Sequence, residues 1–150
     1  MALDFNKYAK EGNTFIKAYA KEMNLGDDTE KAGRIFSAIM HALREIITPH
    51  ESLQLVAQMP MFMKAVYVNG WTLKKEKPKV RRMEEFVELV REKDGVAAVN
   101  DFGYEDELAE RYIDITFIHL RRYISLGEME DIRDGLPKEL KSMIYTNLMF

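Results

Sequence analysis

Shifted by 77 residues and written against itself without a gap, the segment Gly26 to Tyr67 matches Gly103 to Ile144. Identities fall at Gly26/Gly103, Glu30/Glu107, Ala32/Ala109, Arg34/Arg111, Leu43/Leu120, Arg44/Arg121, Ile47/Ile124, Glu51/Glu128, Pro60/Pro137 and Lys64/Lys141, ten of 42 aligned positions. The matched residues are mostly those that end or start helices and those that fill a core, so the repeat speaks to architecture more than to chemistry. The expectation is one all-α domain over residues 1–150, with one copy over about 5–71, a connector over 72–81 and a second copy over about 82–146.

The first segment carries Phe5, Tyr8, Ala9, Phe15, Ile16, Tyr19, Ala20 and Met23 at helical spacing, one face of which points inward. Gly12 and Asn13 predict a frayed or kinked first part. A second helix is predicted from about Asp28 to Ile47, capped by Asp27 or Asp28, with Ile35, Phe36, Ile39, Met40, Leu43, Ile46 and Ile47 as its stripe. Thr48-Pro49-His50-Glu51 reads as a capping box with proline at the first helical position, and Ser125 with Glu128 repeats the spacing. Pro60 and Pro137 mark the next boundary, each lacking an amide and disfavouring helix in the residue before it. Asn69-Gly70-Trp71 supplies a left-handed stop, and Thr72 to Lys79 a polar connector. Phe86-Val87 takes the part of Phe15-Ile16 at a shift of 71, so six extra residues fall before Gly103, and Asp94 to Phe102 reads as a loop. Short helices broken at prolines cannot run as a long parallel bundle, so the packing expected is orthogonal and loosely globin-like.

His41-Ala42-Leu43-Arg44, Ile47-Thr48-Pro49, Leu55-Val56-Ala57-Gln58-Met59-Pro60, Lys64, Tyr67 and Gly70-Trp71, followed by Pro78, a basic stretch and Glu85-Phe86, resemble the DUF2267 family of bacterial proteins. The resemblance runs from about Asn13 to Tyr145. It implies a small all-helical protein of two related helical repeats and no particular activity. The chain departs from the family pattern in the extra residues near Gly95 to Asn100 and in Leu136-Pro137, which lacks a preceding glutamine.

Composition removes several chemistries. The chain has no cysteine, hence no disulfide, thiolate metal site, iron–sulfur cluster or thiol nucleophile. A domain this long buries roughly 70% of the surface of its unfolded chain and needs no such staple. There is no basic-then-apolar leader and no apolar run near the ~18 residues of a membrane span, so a cytoplasmic protein with no membrane contact is expected. His50-Glu51 is followed by no second histidine at metalloprotease spacing, and no phosphate-binding glycine loop or Gly-x-Ser-x-Gly elbow occurs. Asp101-Phe102-Gly103 spells a kinase tripeptide without the rest of a kinase. His41 and His119 are not equivalent in the repeat, which argues against a symmetric bis-histidine haem site. The reading is therefore a non-enzymatic protein with no cofactor and no metal.

Two features remain. After Pro60, Met61, Phe62, Met63, Val66 and Tyr67 leave Lys64 almost the lone polar side chain, so this helix is either buried on all sides or held against a partner: a second copy or another protein. After Pro137 the corresponding stretch has an ordinary polar face in Lys138, Glu139, Lys141 and Ser142. The second feature is a basic strap. Lys74, Lys75, Lys77, Lys79, Arg81 and Arg82 against Glu76 carry +5, while the net charge is −3 and the remainder sums to −8. Such a strap can meet an anion or nucleic-acid phosphates at one place. Trp71 is the only aromatic nearby, however, which disfavours a nucleic-acid stacking platform. A small-ligand carrier with a pocket between the copies is a further alternative. Arg44 and Arg121, like Arg34 and Arg111, read as satisfying helix-end carbonyls or a carboxylate such as Glu51 or Glu128, in preference to forming an anion clamp.

Overall fold

The computed structural model describes residues 3–73 and 76–144, and among these it contains eight α-helices, two short 3-10 turns and no strand. Helix α1 (Phe5–Glu22) begins where the Asp4 carboxylate accepts from the Lys7 amide at 3.2 Å. It runs through Gly12 and Asn13 without a break. The expected kink is absent, because Gly12 packs on Phe62 of a later helix and its missing Cβ is what lets the two approach. Inward spacing does not mean burial along the whole helix: Phe15, Tyr19, Ala20 and Met23 are core, whereas Phe5 is 72% exposed.

Helix α2 (Thr29–Ile46) is capped by Asp28, whose carboxylate accepts from the Lys31 amide. It buries Ala32, Ile35, Phe36, Ala38, Ile39, Met40, Ala42, Leu43 and Arg44, residues that lie on most of its circumference. That pattern makes it the central helix, and it touches α1, α4 (Met61–Val68), α5 (Met83–Asp94) and α7 (Asp106–Leu120). Its most extensive contact is with α5. The alanines admit these neighbours closely, and each large aliphatic fully buried here contributes about 1.5–3 kcal/mol of transfer free energy.

Helix α3 (Pro49–Gln58) opens on a complete capping box: the Thr48 hydroxyl accepts from the Glu51 amide at 3.1 Å, and the Glu51 carboxylate accepts from the Thr48 amide at 2.9 Å. Helix α8 (Leu126–Gly135) opens on half of one. The Ser125 hydroxyl accepts from the Glu128 amide at 3.2 Å, but the Ser125 amide donates 2.7 Å to the Gln58 carboxamide, not to Glu128. The two expected boxes therefore differ, because α3 packs against α8 and brings Gln58 within reach. Glu128 is buried instead, with one carboxylate oxygen unpartnered, and burial, ahead of Asp131 and Glu51, pushes its carboxyl above the usual range.

The stretch read as a loop after Asp94 is helical: a 3-10 turn at Gly95–Ala97 leads into α6 (Ala98–Phe102). Gly95, at φ +66°, ends α5, and two buried residues then fix the new turn. Phe102 packs edge-on against Tyr112. Asp101, fully buried, receives a two-pronged contact from Arg34 of α2 at 3.0 and 2.9 Å. Asp94 lies against the same carboxylate, with one buried oxygen lacking a donor. Burial raises its carboxyl to about 7, while Arg34 holds Asp101 low. After Pro137 the chain forms a 3-10 turn, Lys138–Leu140, and helix resumes at residues 142–144, where the first half forms α4 directly. No helix among the described residues is long and apolar enough to cross a membrane.

Candidate interaction surface

Helix α4 follows Pro60 with no side-chain cap, and its eight residues hold one charged side chain, Lys64. An i, i+4 pair sets its inward face: Met63 and Tyr67 are both fully buried. The Tyr67 hydroxyl shares a 2.7 Å hydrogen bond with the buried Ser52 of α3, and its ring meets Trp71 edge-on. Two of the five residues expected on the contact surface are thus core. Met61 is 42% exposed, and Phe62 and Val66 are half-buried.

Phe62 and Val66 do not lie flat on the body. They form one wall of a groove of about 220 Å³ whose other walls are Gly12, Phe15 and Ile16 of α1 with Gly33 and Phe36 of α2. Its lining has no charged side chain. Two glycines line it: a Cβ at Gly12 would stand 3.0 Å from the Phe62 Cβ, and at Gly33 there is open space within 4 Å. Behind the groove, Phe15 is stacked with Tyr19, edge-on to Phe36, tilted against Phe62, and edge-on to His119 and Tyr123. The wall is therefore a mutually packed aromatic layer with restricted rotamers.

The polar groups behind that layer are already engaged. Tyr19 and Thr116 share a buried 2.6 Å hydrogen bond, and Thr116 passes its proton to the Tyr112 carbonyl, so the Tyr19 hydroxyl is the donor to Thr116. His119 Nε2 stands 2.8 Å from a Glu22 oxygen without the angle of a hydrogen bond. Burial nevertheless pushes this imidazole below its ordinary range, outweighing Glu22. On α2, His41 donates Nε2–H to the Val66 carbonyl at 2.8 Å, and Arg44 donates through Nη1 to the carbonyls of Tyr67 and Asn69, each at 2.7 Å. These two side chains satisfy the otherwise orphan carbonyls at the end of α4 and place a cation at its negative pole. Arg44 thus follows the helix-end reading, through carbonyls and not through Glu51.

Of the strap, Lys74 and Lys75 lie outside the described residues, while Lys77, Lys79, Arg81 and Arg82 are exposed. Arg82 is drawn toward Glu84 and Glu85 at the start of α5. A cleft between the two halves is walled by Glu45, Glu76, Lys77, Pro78, Leu89, Glu92 and Lys93, a mostly charged set, whereas the apolar groove is lined by residues of the first half. Among the described residues no three His, Asp or Glu side chains gather to hold a metal.

Sequence reasoning missed Gly12, Ile16, Gly33 and Phe36 as groove residues. The available signal was a glycine within each of two neighbouring helices: Gly12 reads from sequence as weak helix, and Gly33 carries no reading of its own. Comparison with curated proteins finds no match. A family model described as an uncharacterized conserved protein, DUF2267, matches residues 12–143, and the chain belongs to that family.

Proposed function

We propose that the protein is a non-enzymatic interaction module whose groove between α1, α2 and α4 receives apolar side chains of a protein partner, with Met61 at its exposed rim. The observation that supports this is the groove itself: an aromatic-walled space of about 220 Å³ with open room above Gly33, lined without a charge and left to solvent. Glycine within a helix costs roughly 1 kcal/mol relative to alanine, so Gly12 and Gly33 lower helix propensity, the first in exchange for close approach of Phe62 and the second for open space. Behind it the Tyr19 and Thr116 hydroxyls are paired with each other and the His119 imidazole is buried, which favours binding as the use of this surface.

Gly33→Leu tests the reading. Leucine improves helix propensity and meets open space, so the variant folds while its side chain fills the groove. Wild type, analysed by sedimentation and by capture from nuclease-treated lysate at high salt, is expected to show a self-association or a salt-resistant protein complex that Gly33→Leu and Met61→Glu lose. A complex equally strong in both folded variants would overturn the assignment, as would a monomeric protein that captures nothing at high salt.

A further inference from the structure

We propose that Arg44, Trp71, Thr72 and Lys77 form a binding site for a compact oxyanion, the carboxylate or phosphate group of a small molecule. The first ground is the unused edge of Arg44. Arg44 is 8% exposed, both of its hydrogen bonds leave from Nη1, and the buried Nε has no acceptor among the described residues. A guanidinium is a five-donor fork suited to paired oxygens, and a buried N–H without a partner is costly, so this edge calls for an acceptor that the described chain does not supply.

The second ground is the space beside it. Arg44 lines a pocket of about 40 Å³ together with Glu45, Ile47, Pro49, Trp71, Thr72, Leu73, Glu76 and Lys77. A single water needs roughly 10–15 Å³ by the same measure, so the pocket takes a group of a few heavy atoms. Thr72 offers a hydroxyl, Lys77 a second cation and Trp71 a flat wall. Two carboxylates also stand there. Glu45 is neutralised by Lys93 at 2.5 Å, and Glu76 is exposed on the strap beside Lys77. The pocket is distinct from the apolar groove: Gly33 and Arg44 lie about 16 Å apart along α2. The strap thus contributes to a defined site built on a core arginine and does not act as a diffuse charge.

Trp71 is the chain's single tryptophan and a wall of the site, so its fluorescence reports occupancy directly. Sodium phosphate and sodium acetate are titrated separately into the intact protein, with ionic strength held constant by sodium chloride. A saturable change with one or both oxyanions, absent with chloride alone, is expected, and the stronger response distinguishes phosphate from carboxylate. Lys77→Ala, at an exposed position, should melt like wild type and raise the half-saturating concentration about threefold or more. Arg44→Lys, which loses the fork, should abolish the response. If Arg44→Lys fails to fold, Lys77→Ala and Thr72→Val carry the decision. No saturable response to either anion would overturn the site, as would half-saturation unchanged in the folded variants.

Discussion

The segments that follow Thr48 and Ser125 begin alike and end differently. Each starts with a hydroxyl cap, runs a ten-residue helix, reaches a proline and turns back toward the core. After Pro60 the chain makes the eight-residue α4 at once; after Pro137 it makes a 3-10 turn before helix resumes at residues 142–144. Inside, Ser52 and Tyr67 share a buried hydrogen bond, while Met129 and Ile144, 77 residues further on, are a buried apolar pair. Outside, Phe62 and Val66 border an apolar groove and Met61 beside them is exposed, whereas Lys138 and Glu139 face water. The same punctuation thus frames two uses: one segment closes the core, and the other closes the core and presents an apolar face.

The comparison breaks first at Met63. Met63→Glu places an unpaired carboxylate in the core and should cost at least 3 kcal/mol, unfolding the chain or driving it to the edge of stability. Met61→Glu, at the exposed rim, should stay within about 0.5 kcal/mol of wild type. Urea denaturation followed by circular dichroism separates them. Equal midpoints would mean that α4 is turned about its axis from the orientation described.

That contrast marks the limit of sequence reading. Helix boundaries were legible where they depend on local chain chemistry: the starts at Asp28 and at Thr48 with Pro49, and the stop at Gly70 with its φ of +67°. The phase of α4 was not, because with Lys64 its one charged residue no polar stripe marks which methionine faces out. The turn over residues 95–102 was hidden for another reason. Its anchor is Arg34, 67 residues away from Asp101, and without that contact the segment has the look of a loop. The groove was illegible because its walls come from three helices, and Gly12 and Gly33 line it only once α1, α2 and α4 are side by side.

A smaller effect sharpens the interior half of the comparison. Tyr67→Phe strands the Ser52 hydroxyl in a dry site and should cost about 1–3 kcal/mol. Adding Ser52→Ala should restore part of this, since removing both polar partners reproduces the apolar pairing found at Met129 and Ile144. A double-mutant cycle by chemical denaturation measures the coupling. Additive costs would show that the hydroxyls do not depend on each other.

The residues after Asp94 have no counterpart in the first half, and pH isolates them. An unfolded Asp94 releases its proton near 3.8 and the folded one at about 7. Between those values the native state binds more protons than the unfolded chain, so this group's contribution declines as pH rises from about 4 to 7 and is level above. Asp101 has the opposite sign, its folded carboxyl being held low, so its contribution is lost only as pH falls below the ordinary carboxylate range. Wild type should therefore lose about a few degrees of Tm between pH 5 and pH 7.5 that Asp94→Asn does not. Parallel profiles would remove Asp94 from the account.

The smallest test is at the two caps. Thr48 takes part in two reciprocal hydrogen bonds within its own helix end, and Thr48→Ala should cost about 1 kcal/mol. Ser125→Ala removes one acceptor of the Glu128 amide and leaves the Ser125 backbone amide bonded to Gln58, so its cost should be lower, about 0.5 kcal/mol. Gln58→Ala should then weaken the start of α8 from a residue on α3 while leaving Thr48 untouched, which amide hydrogen exchange at residues 125–128 resolves. If Ser125→Ala equals Thr48→Ala and Gln58→Ala changes nothing at α8, the caps are independent of the α3–α8 contact. The observed geometry favours the other outcome, in which the second helix start is completed by the first half of the chain.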